Sequence, residues 1–243
     1  VGIANDRSIA WGCARAFREN GAELAITYLN AKAEPYVRPL AESVNAPIIL
    51  PLDLQDDDAL KTVFNSIEAQ WGKLDFLLHA VAFAQAADLN GRVVDCSREG
   101  FAEAMDISCH SFLRMAKHAE PLMKDGGAMM TLSYHGGEKV VEGYNVMGPV
   151  KAALESAVRY MAVELGPKRI TVNALSAGLV ATRAARGLSQ FDAMYAKAEA
   201  SKPLPAPLTI EDVGNMAAFL ASDKAKAITG AVHFVDGGYH ITD

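Results

Sequence analysis

The chain is poor in the features that announce most functional classes. Its three cysteines, Cys13, Cys96 and Cys109, are odd in number and lack the close paired spacing of a zinc site. No run approaches the roughly 20 apolar residues that a membrane span needs. The amino-terminal stretch has no basic segment followed by an apolar core, so no secretory signal is read there. Basic residues are outnumbered, with 23 Lys and Arg against 29 Asp and Glu, and the net charge of −6 comes without any basic stripe. That balance argues against nucleic acid as a partner. The six histidines form no metal-ligand or triad arrangement, so no metal is expected. His79, beside a predicted strand end, reads as a packed structural histidine. What remains is an ordinary globular composition, 51% apolar over 243 residues, with a reducing cytoplasm as the expected compartment.

Short apolar, β-branched runs alternate with longer helical patterns, the signature of a parallel sheet with crossover helices. Strands are predicted at 24–28, 48–51, 76–80, 128–133, 171–175 and 232–235, and helices at 10–20, 31–44, 57–71, 100–123, 144–165 and 210–221. The expectation is one α/β domain over 1–243, a Rossmann-type doubly wound parallel sheet flanked by helices. Val1-Gly2-Ile3-Ala4 reads as the tip of a strand entering a glycine turn. A doubly wound sheet carries that first strand at its centre, so the strand looks truncated and about ten preceding residues are expected. One segment, 183–207, is unlike the rest: Leu188, Phe191, Met194, Tyr195 and Ala198 follow a helical spacing, then come Pro203, Pro205 and Pro207.

Several motifs sit at the predicted strand ends. Gly2-x5-Ser8-Ile9-Ala10-x-Gly12 is a glycine turn feeding a helix, which aims backbone N–H groups and a positive helix end at a pyrophosphate, although many helices open this way. Asn5, Asp6 or Ser8 can cap that helix, and Gly12 would let it pack close to the sheet. Asp53 closes the run from Ile48, where a carboxylate lies either in the ligand crevice or in a plain turn or cap. The segment Thr27-Tyr28-Leu29-Asn30 offers neither an acid for ribose hydroxyls nor an arginine for a 2′-phosphate, and Lys32 is a weak substitute. This favours NADH over NADPH. Ala177-Gly178-Leu179-Val180-Ala181-Thr182 is a small turn suited to a planar ring, and an ordinary turn reads nearly as well.

The most informative spacing joins Tyr134, Tyr144 and Lys151. In a dinucleotide-binding fold, a tyrosine one turn before a lysine is the usual acid for reducing a ketone. Here that position holds Met147, which has no proton to give. Seven residues of helix return to nearly the same face about 10 Å along, so Tyr144 and Lys151 are expected to face one elongated ligand with Met147 as an apolar wall between them. Taken singly, tyrosine is commonly a half-buried core residue and lysine a solvated charge. Ala152, Ala153, Ala157, Val158 and Met161 surround Lys151 with apolar neighbours, however, and a lysine so placed has a partner.

Together these residues resemble the enoyl-(acyl-carrier-protein) reductases of the NADH-dependent, FabI type, within the short-chain dehydrogenase/reductase superfamily. The resemblance runs from Gly2 to the end and rests most on Tyr134-x9-Tyr144-x2-Met147-x3-Lys151. The blocks Ser8-Ile9-Ala10-Trp11-Gly12, His79-Ala80-Val81-Ala82-Phe83-Ala84 and Val235-Asp236-Gly237-Gly238 support it. It implies reduction of a trans-2-enoyl thioester by NADH in fatty-acid elongation. Gly2, Ser8 and Ile9 would hold the pyrophosphate, and Asp53 and Leu54 would bracket the adenine. Val81 would lie near the adenosine ribose and Lys151 would bond the nicotinamide ribose. Val180, Ala181, Thr182, Arg183 and Ala184 would cover the nicotinamide. Tyr144 would stabilise the enolate, Tyr134 would line the acyl site, and Ala84, Met147, Phe191 and Met194 would form its apolar walls. The 183–207 segment would be a lid, the substrate would arrive on acyl carrier protein, and the assembly would be a homotetramer.

The sequence departs from the family pattern at Leu179, where proline is usual and whose loss suggests a looser turn, and at Leu29. Ser189-Gln190-Phe191-Asp192-Ala193 lacks the basic residues that attract a carrier protein, which Arg183 and Arg186 would have to supply. The rival readings are a short-chain carbonyl or hydroxyl oxidoreductase, against which Met147 argues, and a non-catalytic NAD-binding regulatory protein.

Overall fold

The computed structural model describes residues 1–188 and 190–242; Ser189, part of the expected lid, and Asp243 lie outside the described residues. Six parallel strands, β1 Ala25–Tyr28, β2 Ile48–Pro51, β3 Phe76–His79, β4 Gly127–Ser133, β5 Ile170–Ala177 and β6 Val232–Val235, alternate with helices. The helices are α1 Ile9–Glu19, α2 Glu34–Ser43, α3 Asp57–Trp71, α4 Ala86–Leu89, α5 Arg98–Met105, α6 Ser111–Ala119, α7 Met147–Leu165, α8 Phe191–Ser201 and α9 Ile210–Leu220. Neighbouring strand residues point to opposite faces, and the core divides accordingly. Leu77 and Met129 pack with Phe64, Phe112, Leu154 and Val158 of α3, α6 and α7. Leu78 and Met130 pack with Phe17, Val37, Val213 and Leu220 of α1, α2 and α9. This is the expected three-layer doubly wound architecture.

Local chemistry sets the helix limits. The Asp56 carboxylate accepts from Asp58 N and Ala59 N to start α3, and Gly72, at φ 67, ends it. Thr209 and Asp212 form a reciprocal capping box at α9. The helix expected at 31–44 starts later, at Glu34, because the Asn30 side chain accepts from Lys32 N and Ala33 N and holds a turn.

Three further expectations are corrected. The single helix at 100–123 resolves into α5, a π-helical turn over Asp106–His110, α6 and a 3-10 turn at Glu120–Leu122. At the π turn, Ser108 Oγ bonds both the N–H and the carbonyl of Phe83 in another segment, while Ser111 Oγ donates to Ile107 O and so competes for a helical carbonyl. The helix expected at 144–165 begins only at Met147, leaving Tyr144 in the turn before it. Gly12 does not serve helix–sheet packing: a Cβ there would lie 2.2 Å from Ile210 O, so the glycine permits the crossing of α1 with α9.

The sheet is split. β1 pairs with β2, and β3, β4, β5 and β6 form a second ladder, all parallel. Val1 extends along the free edge of β3, its N–H donating to Leu78 O at 3.0 Å and its carbonyl accepting from Ala80 N at 3.1 Å. Behind it a cavity of about 550 Å³, lined by Ile3, Leu24, Ile26, Phe64, Leu77 and Leu78 among others, separates β1 from β3.

Candidate active site

Because every strand is parallel, the segments after β2, β3, β4 and β5 emerge along one edge of the sheet, where an open α/β fold binds its ligand. At this edge Gly2 adopts φ 110, and a Cβ would stand 2.1 Å from Ala80 O, so both the conformation and the close approach require glycine. Ser8 occupies the N-cap position of α1 without capping it: its hydroxyl accepts from Ala4 N and Asn5 N at 3.0 and 3.1 Å. The hydroxyl thus braces the glycine turn, and Ile9 opens the helix. Asp53 is exposed, and its Oδ1 accepts from Gln55 N at 3.0 Å, while Asp56 provides the helix cap. Leu54 is buried in the core, which limits its contact with any ligand to the main chain.

Val81 and Ala84, just beyond β3, are partly buried against the core. After β5, Gly178 packs so close to Asp236 that a Cβ would lie 2.9 Å from its Cα, and Gly178 N donates to Val235 O at 2.9 Å. Leu179 is buried, so the turn at the expected proline position is anchored by packing. Val180 and Ala181 are half-buried, Thr182 is buried with its Oγ1 accepting from Ala185 N, and Arg183 and Ala184 are exposed. In the 183–207 segment α8 buries Phe191 and Met194, and the Arg186 guanidinium lies over the Phe191 ring at 5.5 Å. The stem of α8 is held by buried Lys202, paired with Glu199 at 2.5 Å, and by Leu204 N donating to Gly237 O.

The structure gathers Tyr134, Tyr144 and Met147 into one buried hydrophobic cluster, and Lys151 is buried one turn along the helix that Met147 opens. The two tyrosine rings meet edge to face with centroids 4.7 Å apart. Gly136 makes room, since a Cβ there would lie 2.4 Å from the Tyr144 ring. Burial pushes the Tyr144 phenol well above its usual pKa, with Tyr134 and Glu155 adding to the effect, so it stays neutral and able to donate. Lys151 Nζ donates to Leu132 O, the penultimate carbonyl of β4, at 2.7 Å. Burial lowers its pKa to about 8, opposed by Glu155 and Cys109. His79 is fully buried, with Thr131 and Ser111 hydroxyls each 2.8 Å from a ring nitrogen, and burial lowers its pKa to about 3.

Other residues of the site did not stand out in the sequence. Glu155, one turn beyond Lys151, is buried and accepts from Ser133 Oγ; burial raises its pKa. Its i+4 spacing from Lys151 was the available signal. His135 stacks edge-on against buried Tyr239, and together they back the tyrosine pair, a contact between distant parts of the sequence that no local pattern reveals. Asn145, at φ 45, turns the chain between Tyr144 and α7.

The Lys151 shift fixes a stability window. Its folded pKa of about 8 lies below the ordinary 10.5, so between these values the unfolded chain binds more protons and stability rises with pH. Below pH 8 the cost of the buried charge is fully present. Between pH 8 and 10.5 the wild type should therefore gain roughly 3 kcal/mol relative to Lys151→Met, as measured by chemical denaturation. Parallel pH profiles for the two proteins would contradict this.

Among the described residues no group of His, Cys, Asp and Glu can hold a metal ion, and no helix is long and apolar enough to cross a membrane. The profile of the enoyl-(acyl carrier protein) reductase family matches residues 2–240. The chain is 47% identical over 240 residues to the NADH enoyl-(acyl-carrier-protein) reductase 1 of Rhizobium meliloti, covering 99% of this chain and 88% of that protein. The crystal structure of the enoyl reductase of Anaplasma phagocytophilum in complex with NAD superposes with a TM-score of 0.95 at 47% identity, covering 99% of this chain and 92% of that one. The NADH enoyl reductase of Aquifex aeolicus gives a TM-score of 0.96 at 46% identity, covering 99% and 94%. Matched by the family profile over nearly its whole length and by relatives at 47% identity, this chain belongs to the enoyl-(acyl-carrier-protein) reductase family.

Proposed function

We propose that the chain reduces the trans-2 double bond of enoyl thioesters with NADH, the last step of the fatty-acid elongation cycle. The observation that carries this reading is the buried, neutral Tyr144 phenol beside Tyr134, with Met147 where a ketone reducer has its acid. The residues present fit a dinucleotide: a glycine turn that no side chain could occupy, an uncapped helix start at Ser8 and Ile9, and the exposed Asp53 carboxylate. NADH, when bound, supplies the hydride that reduces the substrate β-carbon.

The protein's own part is to bind, orient and stabilise charge. Gly2, Ser8 and Ile9 hold the pyrophosphate through main-chain N–H groups. Asp53 and the Leu54 main chain bracket the adenine, and Val81 borders its ribose. Lys151, steadied by Leu132 O, turns its remaining donors to the nicotinamide ribose hydroxyls. Val180, Ala181, Thr182, Arg183 and Ala184 enclose the nicotinamide end. As negative charge develops on the thioester oxygen, the Tyr144 hydroxyl donates a hydrogen bond to it. In a dry site such a donor contributes about 3–4 kcal/mol. Protonation of the enolate at the α-carbon then completes the saturated thioester. Tyr134, Ala84, Met147, Phe191 and Met194 form the walls of the acyl site, and the 183–207 segment closes over it, excluding water.

The substrate arrives on acyl carrier protein, with the exposed Arg183 and Arg186 as the basic groups that would meet it. A homotetramer is supported by the exposed apolar side chains Tyr160 and Val163 on α7 and Leu113 on α6. A reducing cytoplasm suits three free cysteines.

Steady-state assays with crotonyl-CoA, enoyl-carrier-protein substrates and a panel of ketones test the reaction; ketone turnover exceeding enoyl turnover would overturn it. Tyr144→Phe should lower kcat by about 10²- to 10³-fold with the NADH dissociation constant intact. Near-normal turnover would remove Tyr144 from its role. Lys151→Ala should weaken NADH binding, and an unchanged dissociation constant would take Lys151 off the ribose.

A further inference from the structure

Tyr144 is not fixed by a helix. It lies in a turn, with its N–H donating to Val141 O at 3.1 Å and its carbonyl accepting from Met147 N at 3.2 Å. The next residue, Asn145, takes a left-handed backbone, φ 45, which few residue types other than glycine and asparagine adopt without strain. Its carbonyl accepts from Gly148 N at 3.0 Å, joining the turn to the first turn of α7. Its side-chain amide reaches away from the helix and donates to Leu89 O at 2.6 Å. Leu89 is the last residue of α4, so its carbonyl is one that the short helix leaves without an internal partner.

That acceptor belongs to the loop between β3 and α5, which carries Ala84. The loop is pinned at its start by Ser108, whose hydroxyl bonds Phe83 N and O at 2.8 and 3.0 Å. Near its end, the buried Asp88 carboxylate accepts from Ser97 N and Ser97 Oγ at 2.7 and 3.0 Å. Between these pins, Asn145 joins the loop to the turn bearing Tyr144.

We infer that Asn145 is a positioning residue: its left-handed backbone aims the Tyr144 hydroxyl, and its amide locks the Ala84-bearing loop to that tyrosine so that acyl binding and oxyanion stabilisation share one geometry. Asn145 acts through Tyr144, so this role rests on Tyr144 being the oxyanion donor.

The test uses N145G, N145D, Y144F and the double variant Y144F/N145G, assayed with NADH and a trans-2-enoyl-CoA. Glycine keeps the left-handed backbone and removes the amide. N145G should raise KM for the enoyl thioester about 3- to 10-fold, the size of one hydrogen bond, with the NADH dissociation constant unchanged. N145D sets a carboxylate against the Leu89 carbonyl, two acceptors facing each other. Its activity relative to wild type should recover as falling pH protonates the carboxyl and restores a donor, a signature that a merely structural loss would not give. In the double variant the losses in kcat/KM should be less than multiplicative, because both substitutions disable one unit. Wild-type KM and kcat in N145G, or fully multiplicative losses, with Y144F itself impaired, would overturn the role of Asn145 alone. Full turnover in Y144F would overturn the donor reading and, with it, this role.

Discussion

The site depends on holding a lysine where water does not reach. Lys151 is buried on α7, and its ammonium meets the carbonyl of Leu132 at 2.7 Å. Burial without a partner would neutralise the group. The β4 carbonyl and the nearby Glu155 keep a charged state within reach, and that requirement fixes the distance between α7 and the end of β4. Gly137 reports how tight this packing is: a Cβ there would stand 3.0 Å from Glu155 Oε1 and 3.1 Å from Lys151 Cβ. The tyrosine pair is then constrained from below by the same helix and from the side by Gly136.

Much of the fold was legible because parallel strands buried on both faces read as short β-branched runs. The pattern located all six strands to within about two residues. The helical pattern was less informative at its interruptions. Nothing in the residue pattern marks Asp106–His110 as a break, yet there the Ser111 hydroxyl takes the Ile107 carbonyl, the Ser108 hydroxyl ties the chain to Phe83, and the helix makes a π turn. Side-chain competition of this kind depends on partners in other segments, here Phe83 and His79, which a linear reading cannot supply.

The site shows the same division. Tyr144 and Lys151 were linked through a spacing of seven that suggested one helical face, whereas Tyr144 stands in a turn ahead of Met147. What brings it to Tyr134 is the left-handed residue at 145 and the absence of a side chain at Gly136. Gly12 followed the same course. Its need for close approach could be read from the residue type, but the identity of the neighbour, α9, could not. Residue types thus disclosed the kind of constraint, and the fold decided which surfaces it joined.

The wall behind the tyrosines comes from far along the chain. Tyr239 packs on His135, and Lys139 Nζ donates to the carbonyl of His240, 101 residues later. The stem of α8 is tied to Gly237 in the same loop. On a ribosome, where the chain emerges in order, Tyr134 and Tyr144 are made long before the residues that back them. The wall behind the tyrosines therefore cannot be completed until nearly all of these residues have emerged.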